Sequence, residues 1–418
     1  METQHPAAQS PAGEVVTDYN PFVEPHRSAP YAFYDWAVRE APLVYSNMMG
    51  AYIVTRYDDV IAILKDPRRF SSRHAVPSLL GNPPEVVEIL RTSGVPERNM
   101  AVNADAPVHP RLRRILSRSM TPERIKAFEP AVRAIAHELI DAFIGQGRAE
   151  LAEAYVNLLP RMVISMVLGS PRQDIPRVDG WVGDMLTLMN PTAPLEIKLA
   201  AARQMVEYDR YVLELIRERR AARRDDILSD LIHNPCEEYE PLSDSELVAI
   251  FREQRLAGVD TTRGLIANAI LNLMGHPEHW EAVRRDPSKV PAVLEETLRR
   301  NSPSRGTLRT TTEDVELRGV QLPKGSHLLL LFGAASRDPA HFSHPEKFDV
   351  ARENIADHLG FGRGTHFCAG VVLGRLEGRV AIEAIAERLP GLALAPGFEV
   401  RYLPSQIFVN IERLDVTF

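Results

Sequence analysis

The stretch Phe361-Gly362-Arg363-Gly364-Thr365-His366-Phe367-Cys368-Ala369-Gly370 decides the fold, because it places a cysteine at the end of a glycine-rich turn. Apolar residues recur at helical spacing from Val371 to Val380, so Cys368 is expected just before a helix N-terminus. There the helix dipole and unpaired backbone N–H groups lower the pKa of a thiol and favour the thiolate. The three glycines allow positive φ and a close approach of the backbone to a flat partner. Such a thiolate suits axial ligation of haem iron, although a cysteine among glycines also fits a buried, inert thiol.

Length and composition describe an ordinary globular protein, with 418 residues, 44% hydrophobic and 25% charged. The net charge of −7 argues against nucleic acid or a membrane surface as a partner. No apolar run reaches about 18 residues and no signal peptide begins the chain, so a cytoplasmic protein is expected. Two cysteines, Cys236 and Cys368, exclude a disulfide framework and a cysteine-rich zinc site.

The periodicity along the chain predicts a mainly α protein with a smaller β region. Residues 1–19 lack periodicity and are expected to be a disordered tail, and residues 20–418 are expected to form a single domain. Residues 73–100 alternate prolines with polar residues, which is typical of a long functional loop. Long helices are expected at 121–140, with Thr121 as N-cap, at 178–189, from 197 to about 224, and at 243–274, with Ser243 as N-cap.

The cysteine stretch, read as Phe-Gly-x-Gly-x-His-x-Cys-x-Gly, resembles the haem-binding signature of the cytochrome P450 family. Four further motifs stand in that family's order, namely His109–Arg113, Ala257–Thr262, Glu296-x-x-Arg299 and a meander that contains Arg352. The resemblance implies that haem b (iron protoporphyrin IX) is sandwiched between a long distal helix and the proximal cysteine loop, with Cys368 as the iron ligand.

The resemblance also implies a set of residues that bind the haem. His109 and Arg113 lie four apart on one helix face and would hold haem propionates, although a solvated basic face is the alternative. The other members of the implied set are Ala257, Gly258, Arg309, Phe361, His366 and Gly370.

Ala257-Gly258-Val259-Asp260-Thr261 lies in the middle of the predicted helix at 243–274. Glycine weakens a helix interior and threonine can bond back to earlier carbonyls, so local distortion of the helix is expected. The resemblance assigns Asp260 and Thr261 to an acid–alcohol pair that supplies protons during oxygen activation. The alternative is a solvent-facing aspartate beside a threonine.

Phe251-Arg252-Glu253-Gln254-Arg255-Leu256 departs from the family pattern, which is mostly apolar here. Glu253 lies four residues before Ala257 and therefore on the same helix face, where an unneutralised carboxylate is costly. We expect Glu253 to contact the substrate or to pair with Arg305; a local ion pair with a neighbouring helix is the alternative. The other expected pocket residues are Leu256, Thr307, Leu308 and Ile407, and the resemblance makes the helices at 178–189 and 197–224 a lid over the pocket.

Glu296 and Arg299 lie three residues apart, a spacing that by itself supports a helix by about 0.2–0.5 kcal/mol. The resemblance joins them to Arg352 in a structural cluster.

The implied activity is insertion of one oxygen atom from O2 into an organic substrate, by hydroxylation or epoxidation. A mid-sized natural product of secondary metabolism is the expected substrate. The chain lacks a glycine-rich dinucleotide fingerprint, so electrons are expected from a separate ferredoxin-type protein. Candidate docking cations for that protein are Arg114, Arg118, Arg363 and Arg375. Two alternatives stay open, a peroxide-driven peroxygenase and a non-catalytic haem-binding scaffold.

Overall fold

The computed structural model describes residues 8–9, 15–77, 79–95, 100–190 and 192–418. The α-helices within these residues are α1 (Tyr31–Glu40), α2 (Tyr57–Lys65), α3 (Pro84–Arg91), α4 (Val108–Ser119), α5 (Pro122–Lys126), α6 (Glu129–Asp141), α7 (Leu158–Leu168), α8 (Ile175–Met189), α9 (Leu195–Ala221), α10 (Ile227–His233), α11 (Asp244–Gly275), α12 (Pro277–Arg285), α13 (Val290–Arg300), α14 (Phe332–Ala335) and α15 (Val371–Arg388). In the part of the chain that is described, no helix combines the length and apolarity needed to cross a bilayer.

Among the described residues, the strands form three sheets, of seven, three and two strands. They are β1 (Ala8–Gln9), β2 (Val15–Thr17), β3 (Leu43–Ser46), β4 (Ala51–Val54), β5 (Phe70–Ser71), β6 (Arg148–Glu150), β7 (Gly306–Thr311), β8 (Val315–Leu317), β9 (Val320–Leu322), β10 (His327–Leu331), β11 (Ala393–Leu394) and β12 (Asp415–Thr417). The chain is therefore mainly helical with a smaller β region, as the periodicity predicts.

The chain divides into two compact units that are interleaved along the sequence. Unit 1 contains the described residues up to 72, together with 131–159 and 260–418. Unit 2 contains the described residues of 73–130 and of 160–259. Helix α11 begins in unit 2 and ends in unit 1. The prediction of one domain from 20 to 418 stays a prediction.

Unit 1 is built on the largest sheet, whose strand order is β1-β2-β3-β4-β10-β7-β5. In its centre β4 runs parallel to β10, with Ile53 opposite Leu329, and β10 runs antiparallel to β7, with Leu329 opposite Leu308. Because side chains alternate between the two faces of a sheet, β10 feeds two buried clusters. Leu328 and Leu330 pack in the cluster that includes α2 residues, and the remaining β10 leucines pack against α1.

Unit 2 is helical, and within it α9 packs against α8, α3 and α10. The start of α11 is a capping box, because the Ser243 N–H donates to Glu246 Oε2 at 2.9 Å and the Glu246 N–H donates to Ser243 Oγ at 3.4 Å. Thr121 caps α5 by accepting a hydrogen bond from the Arg124 N–H at 3.2 Å. Both predicted N-caps are confirmed.

Two expectations about local structure are wrong. The tail does not extend to residue 19, because Ala8–Gln9 and Val15–Thr17 form strands and β2 pairs in parallel with β3. The β-branched residues of β2 suit a sheet; residues 1–7 and 10–14 lie outside the described residues. The helix expected at 121–140 is broken into α5 and α6. Pro130 cannot donate a hydrogen bond to the Lys126 carbonyl but is tolerated in the first turn of a helix, so α5 ends at Lys126 and α6 begins at Glu129.

Candidate active site

The cysteine loop in unit 1 is closed by its own backbone. The Cys368 N–H donates to the carbonyl oxygen of Phe361 at 3.0 Å, and the Phe367 N–H donates to that of Gly364 at 3.1 Å. Gly370 is the N-cap of α15, so Cys368 lies two residues before the cap. The predicted position just before a helix N-terminus is confirmed, and helix dipole and loop geometry both favour the thiolate there.

The glycines of the loop have different tasks. Gly362 and Gly364 have φ of +66° and +75°, which side chains rarely adopt, whereas Gly370 has φ of −85°. The expectation of positive φ is therefore wrong for Gly370. A Cβ at Gly364 would also overlap the carbonyl oxygen of Leu64 and lie 3.0 Å from its carbonyl carbon. Gly364 therefore lets the loop pack directly on the end of α2.

The residues around the sulfur fit a planar apolar cofactor. Phe367, Cys368, Ala369 and Val371 are all half-buried, although most of α15 that follows is buried. A thiol and apolar side chains of unit 1 that are left partly uncovered beside a buried helix are the donor and the surface that haem needs.

In unit 2, Ala257 is exposed in the middle of α11 while its neighbours Leu256 and Val259 are buried. Its role in haem binding stays a prediction.

Behind the loop, Arg375 of α15 holds Glu295 of α13 through two hydrogen bonds of 2.7 Å and lies over the ring of Phe361 at 4.8 Å. His358 Nε2 lies 3.1 Å from Glu295 Oε2. Burial raises the pKa of Glu295, but the hydrogen bonds from His358 and Arg375 outweigh burial and hold that pKa at about 2. Arg375 therefore braces the loop, and its role as a docking cation stays a prediction. Arg363 similarly donates to the carbonyl oxygen of Ala356.

The predicted contact of Glu296, Arg299 and Arg352 is formed. Arg299 donates to both carboxylate oxygens of Glu296, at 2.6 and 2.8 Å, and Arg352 Nε lies 3.4 Å from Glu296 Oε2. The Asp349 N–H donates to the same carboxylate at 3.0 Å. Because Glu296 and Arg299 are fully buried, this cluster ties α13 to the meander with little solvent screening.

Asp260 is fixed by two partners within unit 1. Asn410 Nδ2 donates to Asp260 Oδ1 at 3.1 Å, and Arg263 Nε forms an ion pair with the same oxygen at 3.3 Å. Asp260 and its neighbour Thr261 are both half-buried. The carboxylate is thus held in one orientation, and the alternative of an aspartate turned freely to solvent is wrong.

The expected distortion of α11 is also wrong, since the α-helix is continuous from Asp244 to Gly275. Gly258 has another structural role within unit 2: a Cβ there would lie 3.1 Å from Ile164 Cδ1. The glycine therefore allows α7 to approach α11 closely.

The remaining candidates of unit 1 lie on β7, in the cysteine loop and near the C-terminus. Arg309 is buried and donates to the Leu308 carbonyl at 2.7 Å and to Thr307 Oγ1 at 3.2 Å. His366 is half-buried in the turn before Cys368. Leu308 packs against the core cluster beside α1, which the sequence does not predict. Ile407 is half-buried, and its carbonyl accepts the Arg305 N–H at 2.7 Å. The haem-binding and pocket-lining roles of these residues stay predictions.

In unit 2, His109 is buried and Arg113 is half-buried on the same face of α4; their propionate-binding role stays a prediction.

Glu253 accepts two backbone hydrogen bonds, from Ala101 N–H at 2.7 Å and Val102 N–H at 3.0 Å. Arg305 donates instead to the carbonyls of His26 at 3.3 Å and Arg27 at 2.7 Å. The predicted Glu253–Arg305 pair is therefore wrong, because each group is satisfied by backbone.

Sequence reasoning misses three partners that the fold supplies. Asn410 lies 150 residues from Asp260, and no local pattern connects them. Glu295 lies 80 residues before Arg375, which is equally beyond any local rule. Arg263 could have been found, because its i,i+3 spacing from Asp260 places the two side chains on neighbouring turns.

Comparisons with known proteins agree with this arrangement. The family model described as Cytochrome P450 matches residues 40–389. The 6-deoxyerythronolide B hydroxylase of Saccharopolyspora erythraea is 36% identical over 364 residues, covering 85% of this chain and 87% of that protein. The mycinamicin IV hydroxylase/epoxidase of Micromonospora griseorubida is 35% identical and covers 84% of this chain and 85% of that protein. Among solved structures, the Tepidiphilus thermophilus P450 heme domain superposes with a TM-score of 0.87 at 31% identity, over 96% of each chain.

Proposed function

Because the chain belongs to the cytochrome P450 family and is a haem-thiolate monooxygenase, we propose that it inserts one oxygen atom from O2 into a mid-sized natural product, by hydroxylation or epoxidation. Two of the relatives support this substrate class, since their names give 6-deoxyerythronolide B and mycinamicin IV as substrates. The observation that carries the proposal is the combination of Cys368 before a helix N-terminus with the fixed carboxylate of Asp260, the sequence neighbour of Thr261, in the same unit.

Haem, when bound, supplies the activation of dioxygen, and the thiolate of Cys368 is its ligand in this proposal. Gly364 and the hydrogen bond from the Cys368 N–H to the Phe361 carbonyl hold the sulfur in place. Arg375 stiffens the same loop by stacking on Phe361 while it pairs with Glu295. The chain thus contributes a pre-oriented thiolate, with little motion left to be restricted on cofactor binding.

Asp260 and Thr261 move protons in the proposed reaction. A carboxylate and a hydroxyl on adjacent residues form a short relay, and general acid catalysis by such groups contributes about 100-fold or more in rate. Asn410 and Arg263 both engage Asp260 Oδ1 and fix the orientation of the carboxylate. Peroxide arrives already reduced and needs no such relay, so the pair favours an O2-driven reaction.

The electron donor in this proposal is a separate ferredoxin-type protein. Arg114 and Arg118 on α4 are exposed cations that can attract an acidic donor. Reversing both charges should slow reduction of the iron and reduce its dependence on salt, while the thiolate signature stays unchanged. Unchanged reduction kinetics at low and high salt would remove these two residues from the docking surface.

The test begins with ligand screening of the purified holoenzyme. Candidate natural products, with fatty acids as the comparison class, are added while absorption spectroscopy follows the change in iron spin state. Positive ligands are then incubated with ferredoxin, reductase and 18O2, and mass spectrometry locates the label. One 18O atom per product confirms the proposal. Label-free product that forms from peroxide and never from O2 would assign the protein to the peroxygenases instead.

A further inference from the structure

The charged residues that interrupt the apolar pattern of α11 each have a defined partner in unit 2. Arg252 Nη2 donates to Asp209 of α9 at 2.6 Å, and both side chains are about 5% exposed. Arg255 Nη2 donates to Asp179 of α8 at 2.5 Å, and its Nη1 donates to Ser165 of α7 at 2.6 Å. One turn of α11 is therefore bonded to three other helices.

Glu253, between these arginines, binds the turn that directly follows the predicted loop at residues 73–100. Its Oε2 accepts the Ala101 N–H at 2.7 Å and its Oε1 accepts the Val102 N–H at 3.0 Å. These are the first N–H groups of a 3-10 turn, Ala101–Asn103, whose N-cap residue Met100 makes no side-chain cap. A carboxylate with one oxygen for each N–H supplies what the turn itself lacks.

The turn is itself hydrogen-bonded to Val76, near the beginning of that loop. The side-chain amide of Asn103 accepts the Val76 N–H and donates to the Val76 carbonyl, both at 3.0 Å. Further along, Asn82 Nδ2 donates to the carbonyls of Leu79 at 2.9 Å and of Leu188 in α8 at 3.0 Å. The described parts of the loop are thus connected to α11 through Glu253 and to α8 through Asn82.

We propose that Glu253 is a positioning residue that sets the shape of the described parts of the loop that begins at residue 73, while Arg252 and Arg255 fix helices α8 and α9. This rests on the proposed function, because the loop and the two helices acquire a role in substrate binding from it. Glu253 acts on substrate through the backbone of residues 101–103 and Asn103, not by direct contact.

The protonation of Glu253 gives this anchor a distinctive signature. Burial raises the pKa of Glu253 to about 7, against the opposite effect of the two backbone hydrogen bonds. Residues 101–103 carry no titratable side chain, and the adjacent charges on α11, Arg252 and Arg255, are directed at Asp209 and Asp179. The pKa is therefore a property of the closed turn.

Opening of the turn lets water reach the carboxylate, whose pKa then returns toward 4.5. The closed state binds the proton more tightly than the open state, so rising pH favours opening. With these two pKa values, the opening equilibrium grows about 25-fold between about pH 5.5 and pH 8.

Hydrogen exchange of the holoenzyme, followed by mass spectrometry on peptides that contain 101–103, tests the anchor. After correction for intrinsic rates, the wild type should exchange about 25-fold faster at about pH 8 than at pH 5.5. Glu253→Gln should exchange at one pH-independent rate, about tenfold slower than the wild type at pH 5.5, because an amide resembles the protonated acid in both the closed and the open state. Glu253→Ala should exchange at least about tenfold faster at both pH values, because both N–H groups lose their acceptor. Gln254→Ala, at the adjacent position, should leave the turn unchanged.

A second measurement connects the anchor to ligand entry. Stopped-flow absorption compares the binding of imidazole, which needs little room, with that of the bulky azole clotrimazole. Glu253→Ala should raise the association rate of clotrimazole several-fold and leave that of imidazole unchanged. The red-shifted Soret band of the reduced carbonyl complex should persist in every variant.

The outcomes separate the two proposals. The anchor is overturned if Glu253→Ala exchanges at the wild-type rate, or if the exchange rate of the turn in the wild type does not depend on pH. In either case the thiolate band stays intact. Loss of that band from the wild type itself would instead overturn the proposed function.

Discussion

Replacing Gly364 with alanine is expected to displace the cysteine loop and to lower both stability and haem retention. Gly364 combines a left-handed φ of +75° with a backbone contact, since a Cβ would overlap the carbonyl oxygen of Leu64 at the end of α2. Gly362 provides a matched control, because its φ is +66° but the nearest atoms to a Cβ there belong to Phe332 at 3.9 Å. The two substitutions share the strain and differ in the overlap.

The magnitude follows from these two contributions. A left-handed conformation costs a non-glycine residue about 1–2 kcal/mol, so Gly362→Ala should lose about that much. At Gly364 the overlap adds about 1–3 kcal/mol, the usual effect of forcing atoms into a packed region, for a total of about 2–5 kcal/mol. Because the overlapping atom is backbone, no side chain can rotate away, and the loop must move. The sulfur of Cys368 moves with it.

Urea denaturation of both variants measures the stability loss, and the reduced carbonyl spectrum measures how much protein keeps thiolate-ligated haem. Gly364→Ala should be the less stable variant by about 1–3 kcal/mol and should show the larger loss of the red-shifted Soret band. Equal midpoints and equal haem occupancy for the two variants would refute the argument that the loop depends on contact with α2.

Three other perturbations test the buried charges. Glu296→Gln should lower the free energy of unfolding, measured by urea denaturation, by about 3–5 kcal/mol, because it leaves Arg299 buried without a counter-charge. The control Glu281→Gln breaks surface pairs and should lower it by under about 1 kcal/mol. Similar losses for the two variants would contradict the structural role of Glu296. Asp260→Asn should lower O2-driven product formation by about 100-fold without changing the carbonyl spectrum, and undiminished turnover would remove Asp260 from the proton relay. The pKa of Glu295 is about 2 in the folded chain against 4.5 ordinarily, so its stabilisation is present above about pH 4.5 and is lost as pH falls toward 2. With allowance for the partial exposure of Glu295, this stabilisation amounts to about 1–2 kcal/mol. The free energy of unfolding of Glu295→Gln should therefore fall less on acidification than that of the wild type. Parallel curves of unfolding free energy against pH would refute the role of Glu295.

Local patterns predicted the elements that surround the site. Ser243 and Thr121 were recognisable as helix caps because a hydroxyl before a helical run satisfies N–H groups that the helix cannot. The glycine-rich approach to Cys368 was recognisable for a similar reason, since few residues tolerate positive φ. Pro130 divides the helix expected at 121–140 into α5 and α6.

The polar run on α11 illustrates what local patterns miss. Helical spacing correctly placed Glu253 on the face of Ala257, but it could not identify the group that meets the carboxylate. The carboxylate meets the backbone N–H groups of Ala101 and Val102, about 150 residues away. Every residue except proline carries such an N–H, so almost any side chain could stand at these two positions. A backbone partner leaves no trace in the identity of the side chains.

The sequence alone determined the family and the mainly helical architecture, because these depend on residue type and short spacing along the chain. The tertiary structure alone decided which distant groups complete the chemistry, including Asn410 for Asp260, Glu295 for Arg375 and the turn at 101–103 for Glu253. The physical reason is that hydrogen bonds and burial act across space, so the partner of a charged group is set by how the chain folds back on itself and not by the residues beside it.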